Sequence, residues 1–319
     1  MKSIFSRGSS AIGHLLSIVS LILTGALSAQ QLPTGLNLGA TSFLDGGPPA
    51  GPGLYYQQYA EYYHSTNFIG NDGNPSLALD YKSLNGYASV NQFIYMSGQK
   101  VIGSGQWGLD VIVPIIGYDL DSGTSLLRGT GSGFGDMHAS VLLQFDPVMG
   151  EHGPLFVQRF ELQTILPTGK YDRNHALNPG DNVFAFDPYW AGTAWLSPAL
   201  SFTWGIHYLW SDKNDAPTVP IFKDAQAGSA MHANFSMCYD VIPNKLRLGV
   251  NGYWLQELTS PQGNGHDLPD SKERTVAIGP GVMYSFSKDD HLFLNDYFET
   301  GTRNRPEGNR LVLHYTHHF

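Results

Sequence analysis

The chain ends in Leu311-Val312-Leu313-His314-Tyr315-Thr316-His317-His318-Phe319, a stretch in which the side chains alternate in character. Every second position back from the terminus reads His317, Tyr315, Leu313 and Leu311, and the intervening positions are mostly polar. A two-residue period predicts a β-strand with one apolar face. A terminal aromatic residue on such a strand is typical of bacterial outer-membrane barrels, so Tyr315 and Phe319 form the expected signal for the barrel-assembly machinery.

The first residues have the composition of a secretory signal peptide. Lys2 and Arg7 make the start basic, the run Leu15–Leu23 is mainly apolar, and small residues lead up to Ala29. The apolar run falls well short of the ~20 residues that a membrane-spanning helix needs. We therefore expect residues 1–29 to be a signal peptide that is removed during export.

Composition excludes several classes of protein. Without Lys2 and Arg7, 16 basic residues remain against 27 acidic ones, a net charge of −11, whereas nucleic-acid-binding proteins are usually basic. The chain contains 17 Tyr, 17 Phe, 6 Trp and 37 Gly, and only 14% of it is charged, which suits barrel strands with aromatic girdles. The single Cys238 excludes an internal disulfide framework. We expect no nucleic-acid partner and no cofactor.

Alternation recurs along the whole chain after the signal peptide. Twelve strands are predicted, most of them near the ~9–11 residues that cross a bilayer at a tilt: 53–65, 84–96, 107–118, 135–145, 155–166, 186–196, 199–210, 228–239, 246–257, 274–285, 291–300 and 310–319. Short and long connections alternate over the last nine strands, and the last long one is 301–309. Barrels with short periplasmic turns and long external loops show this pattern.

The sequence therefore predicts an all-β fold, a transmembrane antiparallel up-and-down β-barrel of about twelve strands that spans residues 53–319. A closed barrel is the β-structure that satisfies every backbone group in lipid. A soluble sandwich also has alternating strands, but it does not need aromatic strand ends or a terminal Phe319. The expected location is the outer membrane, with its lipid as a partner.

Residues 30–52 precede the barrel and are rich in glycine and proline, as in Asp45-Gly46-Gly47-Pro48-Pro49. Such a sequence forms neither a regular strand nor a helix. Two interpretations are open for this segment. It is either a flexible periplasmic lead-in, as terminal segments often are, or a plug that folds back into the lumen.

The inward face of a barrel decides which solutes pass. Alternation directs ten polar side chains inward: Asp110, Asp136, His138, Arg159, Glu161, His207, His232, Arg247, Asn251 and His314. Charged groups there avoid facing lipid, which costs ~2–4 kcal/mol for Arg at the midplane, and they can tune solute selectivity. In the alternative interpretation, Arg159, Glu161 and Arg247 simply pair across strands and fill a narrow lumen.

Catalysis is a further alternative, because His138 and Ser140 share one predicted strand face and resemble a base and nucleophile of a lipid hydrolase. Both side chains should face the lumen, away from lipid substrate, so we expect a channel and not an enzyme. His317 and His318 point to opposite faces of a strand, which argues against joint metal binding, and no metal site is expected.

Several short motifs occur in a characteristic order: Gly35-Leu36-Asn37-Leu38-Gly39, Asp45-Gly46-Gly47, Gly133-Phe134-Gly135-Asp136-Met137, Leu166-Pro167-Thr168-Gly169-Lys170-Tyr171-Asp172 and Val276-Ala277-Ile278-Gly279-Pro280. Together they resemble the family named for a meta-pathway of phenol degradation, over most of residues 35–319. The resemblance implies an exported outer-membrane barrel that passes small, aromatic or hydrophobic molecules, and it supplies no catalytic residues. A barrel that acts in surface recognition through its long loops is the remaining alternative.

Overall fold

The computed structural model describes residues 30–47, 51–77, 79–121 and 130–319. The predicted signal peptide, residues 1–29, lies outside the described residues. The wall of the molecule consists of twelve strands: β1 Gly53–Ile69, β2 Ser83–Ile102, β3 Gly105–Asp121, β4 Met137–Gln144, β5 Gly153–Leu166, β6 Tyr189–Ser197, β7 Leu200–Ser211, β8 Ala230–Ile242, β9 Leu246–Glu257, β10 Arg274–Ser285, β11 Asp290–Arg303 and β12 Arg305–His318. None of the described residues belongs to a helix long and apolar enough to cross a membrane.

The twelve strands form one closed antiparallel sheet. Each strand pairs with its neighbours in sequence, and β12 pairs with β1 through contacts such as Tyr59 opposite His314. This confirms the predicted all-β barrel and its strand count. The short strands Ser132–Phe134, Val148–Gly150 and Ala185–Phe186 extend the wall.

The connections make the two ends of the barrel different. Long connections such as 167–188 and 258–273 lie at one end, which we call the loop end. Short connections such as 198–199 and 243–245 lie at the other, which we call the turn end, together with the C-terminus. Three short strands, Ala225–Gln226, Gln262–Gly263 and His266–Asp267, form a small separate sheet among the long loops.

The predicted loop 301–309 is mostly strand. β11 continues to Arg303 and β12 begins at Arg305, so that Asn304 alone connects them. Near this hairpin, Arg303 pairs with Arg274 on β10, and Arg305 pairs with Ile69 on β1. The two strands stay extended because each is held by its outer neighbour, an arrangement that local sequence does not reveal.

Side chains alternate between a buried inner face and an exposed outer face, as the sequence indicated. On β8, His232, Asn234 and Ser236 are at most 1% exposed, whereas the outward Met237 is 45% exposed. A cluster of buried apolar side chains lies inside the barrel and includes residues that precede β1. The lumen is therefore a packed space to which the N-terminal residues contribute.

Candidate functional site

Residues 30–47 run through the inside of the barrel from the loop end toward the turn end, and we call them the inner segment. Leu32, Leu36, Leu38 and Phe43 of this segment are buried. The three leucines pack against inward side chains of the wall such as Tyr253. Burial of these apolar side chains favours docking of the segment, since each removes apolar surface from water.

Carboxylates of the long loops hold the start of the inner segment. The backbone N–H of Thr34 donates to Asp181 Oδ2 at 2.9 Å, and that of Leu32 donates to Glu273 Oε1 at 3.2 Å. Asp181 is held in turn by its own backbone N–H, which donates to Asp136 Oδ2 at 2.8 Å. Burial, together with the negative charge of Asp136, raises the pKa of Asp181 to about 8. The carboxyl that anchors Thr34 is thus protonated at neutral pH.

In the middle of the lumen, Gly39 lies between two walls of the barrel. Its N–H donates to Asn234 Oδ1 at 2.7 Å, and its carbonyl accepts a hydrogen bond from the Tyr297 hydroxyl at 2.8 Å. Gly39 has a φ of +92°, and a Cβ at this position would lie 2.8 Å from the Tyr297 ring. Only glycine fits both the backbone conformation and the close contact.

Near the turn end, the inner segment is attached to β4, β5 and β6. Gly46 N–H donates to Thr193 Oγ1 at 3.0 Å, and Gln144 Nε2 donates to the Gly46 carbonyl at 3.0 Å. Beside them, Arg159 Nη2 lies 3.3 Å from Asp45 Oδ2. The segment is therefore held at both ends and in the middle by wall residues far away in sequence.

The inner segment leaves space on the side of β1 to β5. A cavity of about 100 Å³ lies there, between Leu36 and Thr41 on the segment and the facing wall. Its wall combines apolar side chains with polar ones: Ala88, Val90, Ile94, Ile112, Pro114 and Ile116, with Gln57, Tyr59, Gln92, Asp110, His138 and Arg159. A second cavity of about 60 Å³ shares Asp45 and Arg159 with the first and extends toward the turn end at Thr316. We call the first the upper cavity and the second the lower cavity. The two cavities form a line along one side of the lumen.

The apolar part of this wall comes in equal measure from β2 and β3, and the pattern of β2 is inverted. Apolar side chains of β2, including Val90 and Ile94, face the lumen. Polar side chains that alternate with them, such as Ser89 and Asn91, face outward. Most barrel strands place apolar residues toward lipid, so β2 provides an apolar strip where a water-filled pore would have a polar one.

The arginines beside the cavities are paired with carboxylates. Arg159 contacts Glu161 at 3.4 Å as well as Asp45, and it donates to the Tyr189 hydroxyl at 3.1 Å. Arg310 contacts Glu61 at 2.9 Å. These guanidinium groups are already neutralised by carboxylates, so the cavity wall offers little free positive charge to an anionic solute.

Four of the ten predicted inward residues meet at the upper cavity. Asp110, His138 and Arg159 line it, and Glu161 is the partner of Arg159. Asp110 Oδ2 accepts a hydrogen bond from Gln92 Nε2 at 2.6 Å. His314 lines the lower cavity, where its ring stacks between Tyr59 and Phe293 with centroid distances of 4.0 and 4.6 Å.

His207 and His232 form a separate buried group with Asp187. His207 Nδ1 and His232 Nε2 each lie 3.1 Å from a different oxygen of the Asp187 carboxylate, and the two rings stack at 4.1 Å. The three ligand atoms lie within 4.8 Å of one another, a set that could hold a transition-metal ion. In the structure, the Asp187 carboxylate orients both imidazole rings by hydrogen bonds. The sequence prediction did not connect Asp187 with the two histidines.

The remaining predicted residues lie away from the cavities. Asp136 accepts the backbone N–H groups of Gly169 and Asp181 at the loop end. Arg247 pairs with Asp240 near the turn end, and Asn251 bonds with Ser42 and Asn295 deep in the lumen. These contacts hold loops, strands and the inner segment in place.

His138 and Ser140 do not contact each other as base and nucleophile. Ser140 donates to Glu161 Oε1 at 2.5 Å, whereas His138 Nδ1 lies 3.1 Å from Gln163 Nε2. A serine nucleophile needs a base within hydrogen-bond reach. Glu161 is engaged by Arg159 as well, so this pair lacks the arrangement of a Ser–His hydrolase.

Sequence reasoning missed most of the apolar cavity wall and the contribution of the inner segment. Val90 and Ile94 look like lipid-facing residues in an alternating strand, because alternation gives the period of a strand but not which set points inward. Asp45 lies in a glycine- and proline-rich stretch without periodicity. The signal that could have identified β2 is its other face, since Asn85, Ser89 and Asn91 are unusual side chains for lipid contact.

Residues 66–315 match the family described as "Putative MetA-pathway of phenol degradation". The fold is similar to that of the COG4313 outer membrane channel from Pseudomonas putida F1, with a TM-score of 0.74 and 18% identity over 91% of this chain and 100% of that chain. The transport unit of the autotransporter AIDA-I from Escherichia coli gives a TM-score of 0.49 and 9% identity over 95% of this chain and 97% of that chain. Comparison with curated protein sequences gives no match.

Proposed function

Because the chain belongs to the family described as "Putative MetA-pathway of phenol degradation" and folds as a closed twelve-stranded barrel of outer-membrane type, we propose that it is an outer-membrane channel for small hydrophobic or aromatic molecules. The observation that carries this proposal is the line of two cavities between the inner segment and the wall. The upper cavity lies mainly against β1 to β5, and the lower one lies against β1, β2, β5 and β10 to β12. The Pseudomonas putida protein of similar fold is described as an outer membrane channel, which is consistent with the proposal.

The lining of the upper cavity suits an aromatic ring with a polar substituent. Its volume is about 100 Å³, less than the engineered protein cavity of about 150 Å³ that binds benzene, so a substituted ring enters only when the inner segment moves aside. Val90, Ile94 and Ile112 offer an apolar surface, while Gln57 and Gln92 offer hydrogen bonds. Ligand sites commonly combine a mainly apolar wall with a few placed polar groups.

In this proposal the inner segment acts as the gate. The two cavities are too small for a solute to cross the whole lumen while the segment fills the remainder, so passage requires the segment to shift. Its contacts through Thr34, Gly39 and Asp45 are hydrogen bonds and one ion pair, interactions that each contribute modestly and can exchange with water. A docked segment restricts the channel, and a released one opens it.

The same proposal covers export and assembly. Residues 1–29 act as the cleaved signal peptide, residues 30–52 carry the inner segment, and residues 53–319 form the barrel in the outer membrane. Phe319 is 71% exposed at the turn end, where the assembly machinery can reach it, and Tyr315 donates a hydrogen bond to Asp290 at 2.7 Å. The channel works without a cofactor and without catalysis.

The test is solute entry into liposomes that contain the refolded residues 30–319. Radiolabelled 4-hydroxybenzamide and arabinose serve as neutral aromatic and non-aromatic solutes, because phenol itself crosses lipid too readily to report on a channel. The proposal predicts faster entry of the aromatic solute through the protein than of the sugar, relative to protein-free liposomes. Equal entry of the two solutes, or no entry of either, would contradict it.

A further inference from the structure

The outer surface of the barrel carries one polar face. From β3 to β10 the outward side chains are mainly apolar, as with Val111, Met237 and Ile278, which are 37%, 45% and 52% exposed. On β1 and β2, by contrast, amide, hydroxyl and imidazole groups point outward. We call this surface the β1–β2 polar face; it comprises Tyr56, Gln58, Tyr62, His64, Asn85, Tyr87, Ser89 and Asn91.

These side chains are paired across the two strands. The Tyr56 hydroxyl donates to Asn91 Oδ1 at 2.8 Å, and the Tyr62 hydroxyl donates to Asn85 Oδ1 at 2.9 Å. Both bonds engage the amide oxygen, and the hydrogen bonds among the described side chains do not use the NH₂ groups of Asn85 and Asn91. Acyl chains contain no acceptor, and an amide left unpaired in an apolar medium is costly.

A hollow adjoins this face on the same outer surface. It has a volume of about 300 Å³ and is lined by Tyr62, His64, Asp296, Asn309 and Leu311. Asp296 is a carboxylate on the outer side of β11, next to the outward Leu294 and Phe298. Acidic and imidazole side chains within a lipid-facing surface are uncommon and usually have a partner.

We propose that the β1–β2 polar face is the interface at which two copies of this chain pair in the membrane. Lipid cannot supply the missing hydrogen bonds, whereas the same face of a second copy can, since it carries both donors and acceptors. A two-fold interface brings identical patches together and needs such self-complementarity. Polar side chains are also known to hold membrane proteins together.

The shape and the charged groups of the β1–β2 polar face fit a second copy of the chain. Tyr87 projects from β2 with 51% of its surface exposed, beside the ring of Tyr62 at 5.4 Å. The adjoining hollow is larger than the cavity of about 150 Å³ that accommodates benzene in an engineered protein, so it can receive the Tyr87 ring of the second copy. His64 and Asp296 at the hollow can form charge-assisted contacts across the interface.

The chain offers a matched pair of glutamines for the test. Gln58 on the polar face and Gln256 on the outer side of β9 each donate to the backbone carbonyl of the following residue, at 3.1 and 2.9 Å. We would prepare the wild type, the double variant Gln58→Leu/Asn91→Leu, and the control Gln256→Leu. Each would be placed in lipid bilayers at known density, and copies would be counted by single-molecule photobleaching of a dye attached at the C-terminus.

The proposal expects dimers of the wild type and of Gln256→Leu, with dimerisation of the double variant weakened by about tenfold. Heat-modified migration on gels would verify that all three barrels are folded. A monomeric wild type would overturn the proposal. So would a dimer that the double variant forms as readily as the control does.

Discussion

Arg159 on β5 and Asp45 on the inner segment form an ion pair, with 3.3 Å between Nη2 and Oδ2, and both residues line both cavities of the lumen. The pair therefore joins the inner segment, the gate of the proposed channel, to the wall at the point where the two cavities meet. Weakening this ion pair should therefore change how readily solutes pass through the lumen.

Asp45→Asn is expected to increase the open fraction of the channel. Arg159 retains Glu161 as a partner, so the wall stays intact while docking of the inner segment weakens by about 1.5–3 kcal/mol, the contribution of a hydrogen bond to a charged group. The measurement is single-channel conductance in planar bilayers. Asp240→Asn is the matched control, because Asp240 pairs with Arg247 within the wall. If Asp45→Asn and Asp240→Asn have the same conductance, Asp45 does not hold the gate closed.

Gly39→Ala is expected to displace the inner segment. The new Cβ would meet the Tyr297 ring at 2.8 Å, and the residue would keep a φ of +92°, a strain on the order of 1–3 kcal/mol. Proteolysis within residues 30–47 of the folded barrel should accelerate. Gly265→Ala controls for backbone strain alone, since Gly265 has a φ of +75° and its Cβ would meet nothing within 4 Å. If residues 30–47 are cleaved equally slowly in Gly39→Ala and Gly265→Ala, the close contact of Gly39 with Tyr297 does not hold the inner segment in place.

Stability should depend on pH through Asp181. Its pKa in the folded protein is about 8, against an ordinary value of 3.8, so between these values the folded protein binds more protons than the unfolded chain. The free energy of unfolding contributed by this group therefore falls as pH rises from about 4 to about 8 and levels off above that.

Urea unfolding followed by tryptophan fluorescence in detergent, at several pH values, measures this contribution as the difference between the wild type and Asp181→Asn. The neutral amide of Asp181→Asn keeps an oxygen for the Thr34 N–H and cannot titrate. The free energy of unfolding of this variant should therefore fall less between pH 5 and pH 8 than that of the wild type. Identical pH dependence of the two proteins would show that Asp181 does not titrate in this range.

Ser140→Ala separates a channel from a hydrolase. If the protein is a channel, the variant should pass solutes at the wild-type rate and lose about 1–3 kcal/mol of stability at most, because Glu161 loses one hydrogen bond. Phospholipid hydrolysis should be absent from both proteins in a detergent assay. Hydrolysis by the wild type that disappears in Ser140→Ala would establish the enzyme instead.

The strands of the barrel could be predicted closely, because their signal is local. On β8 the outward Ala233, Phe235 and Met237 alternate with inward His232 and Asn234, and a period of two is visible in the sequence itself. The terminal strand is read in the same way. Its inward His314 and Thr316 are buried, and its outward Leu311 and Leu313 are exposed.

The site could be predicted only in part, because its contacts are distant in sequence. The hydrogen bond between Tyr297 and Gly39 joins residues 258 positions apart, and nothing near Gly39 indicates its partner. The inverted faces of β2 depend on what fills the lumen. Val90 faces inward and packs against the buried cluster that contains Leu36 and Leu38 of the inner segment, and alternation alone cannot show this packing.

The central claim is that small aromatic solutes pass along the cavity wall formed by β1 to β5. The most direct test is entry of the neutral aromatic solute 4-hydroxybenzamide into liposomes with the wild type, Val90→Trp and Val250→Trp. Val90 lines the upper cavity, whereas Val250 lies on the outer side of β9 and is 47% exposed. The account predicts that Val90→Trp blocks entry while Val250→Trp retains the wild-type rate. Wild-type entry through a folded Val90→Trp barrel would contradict it.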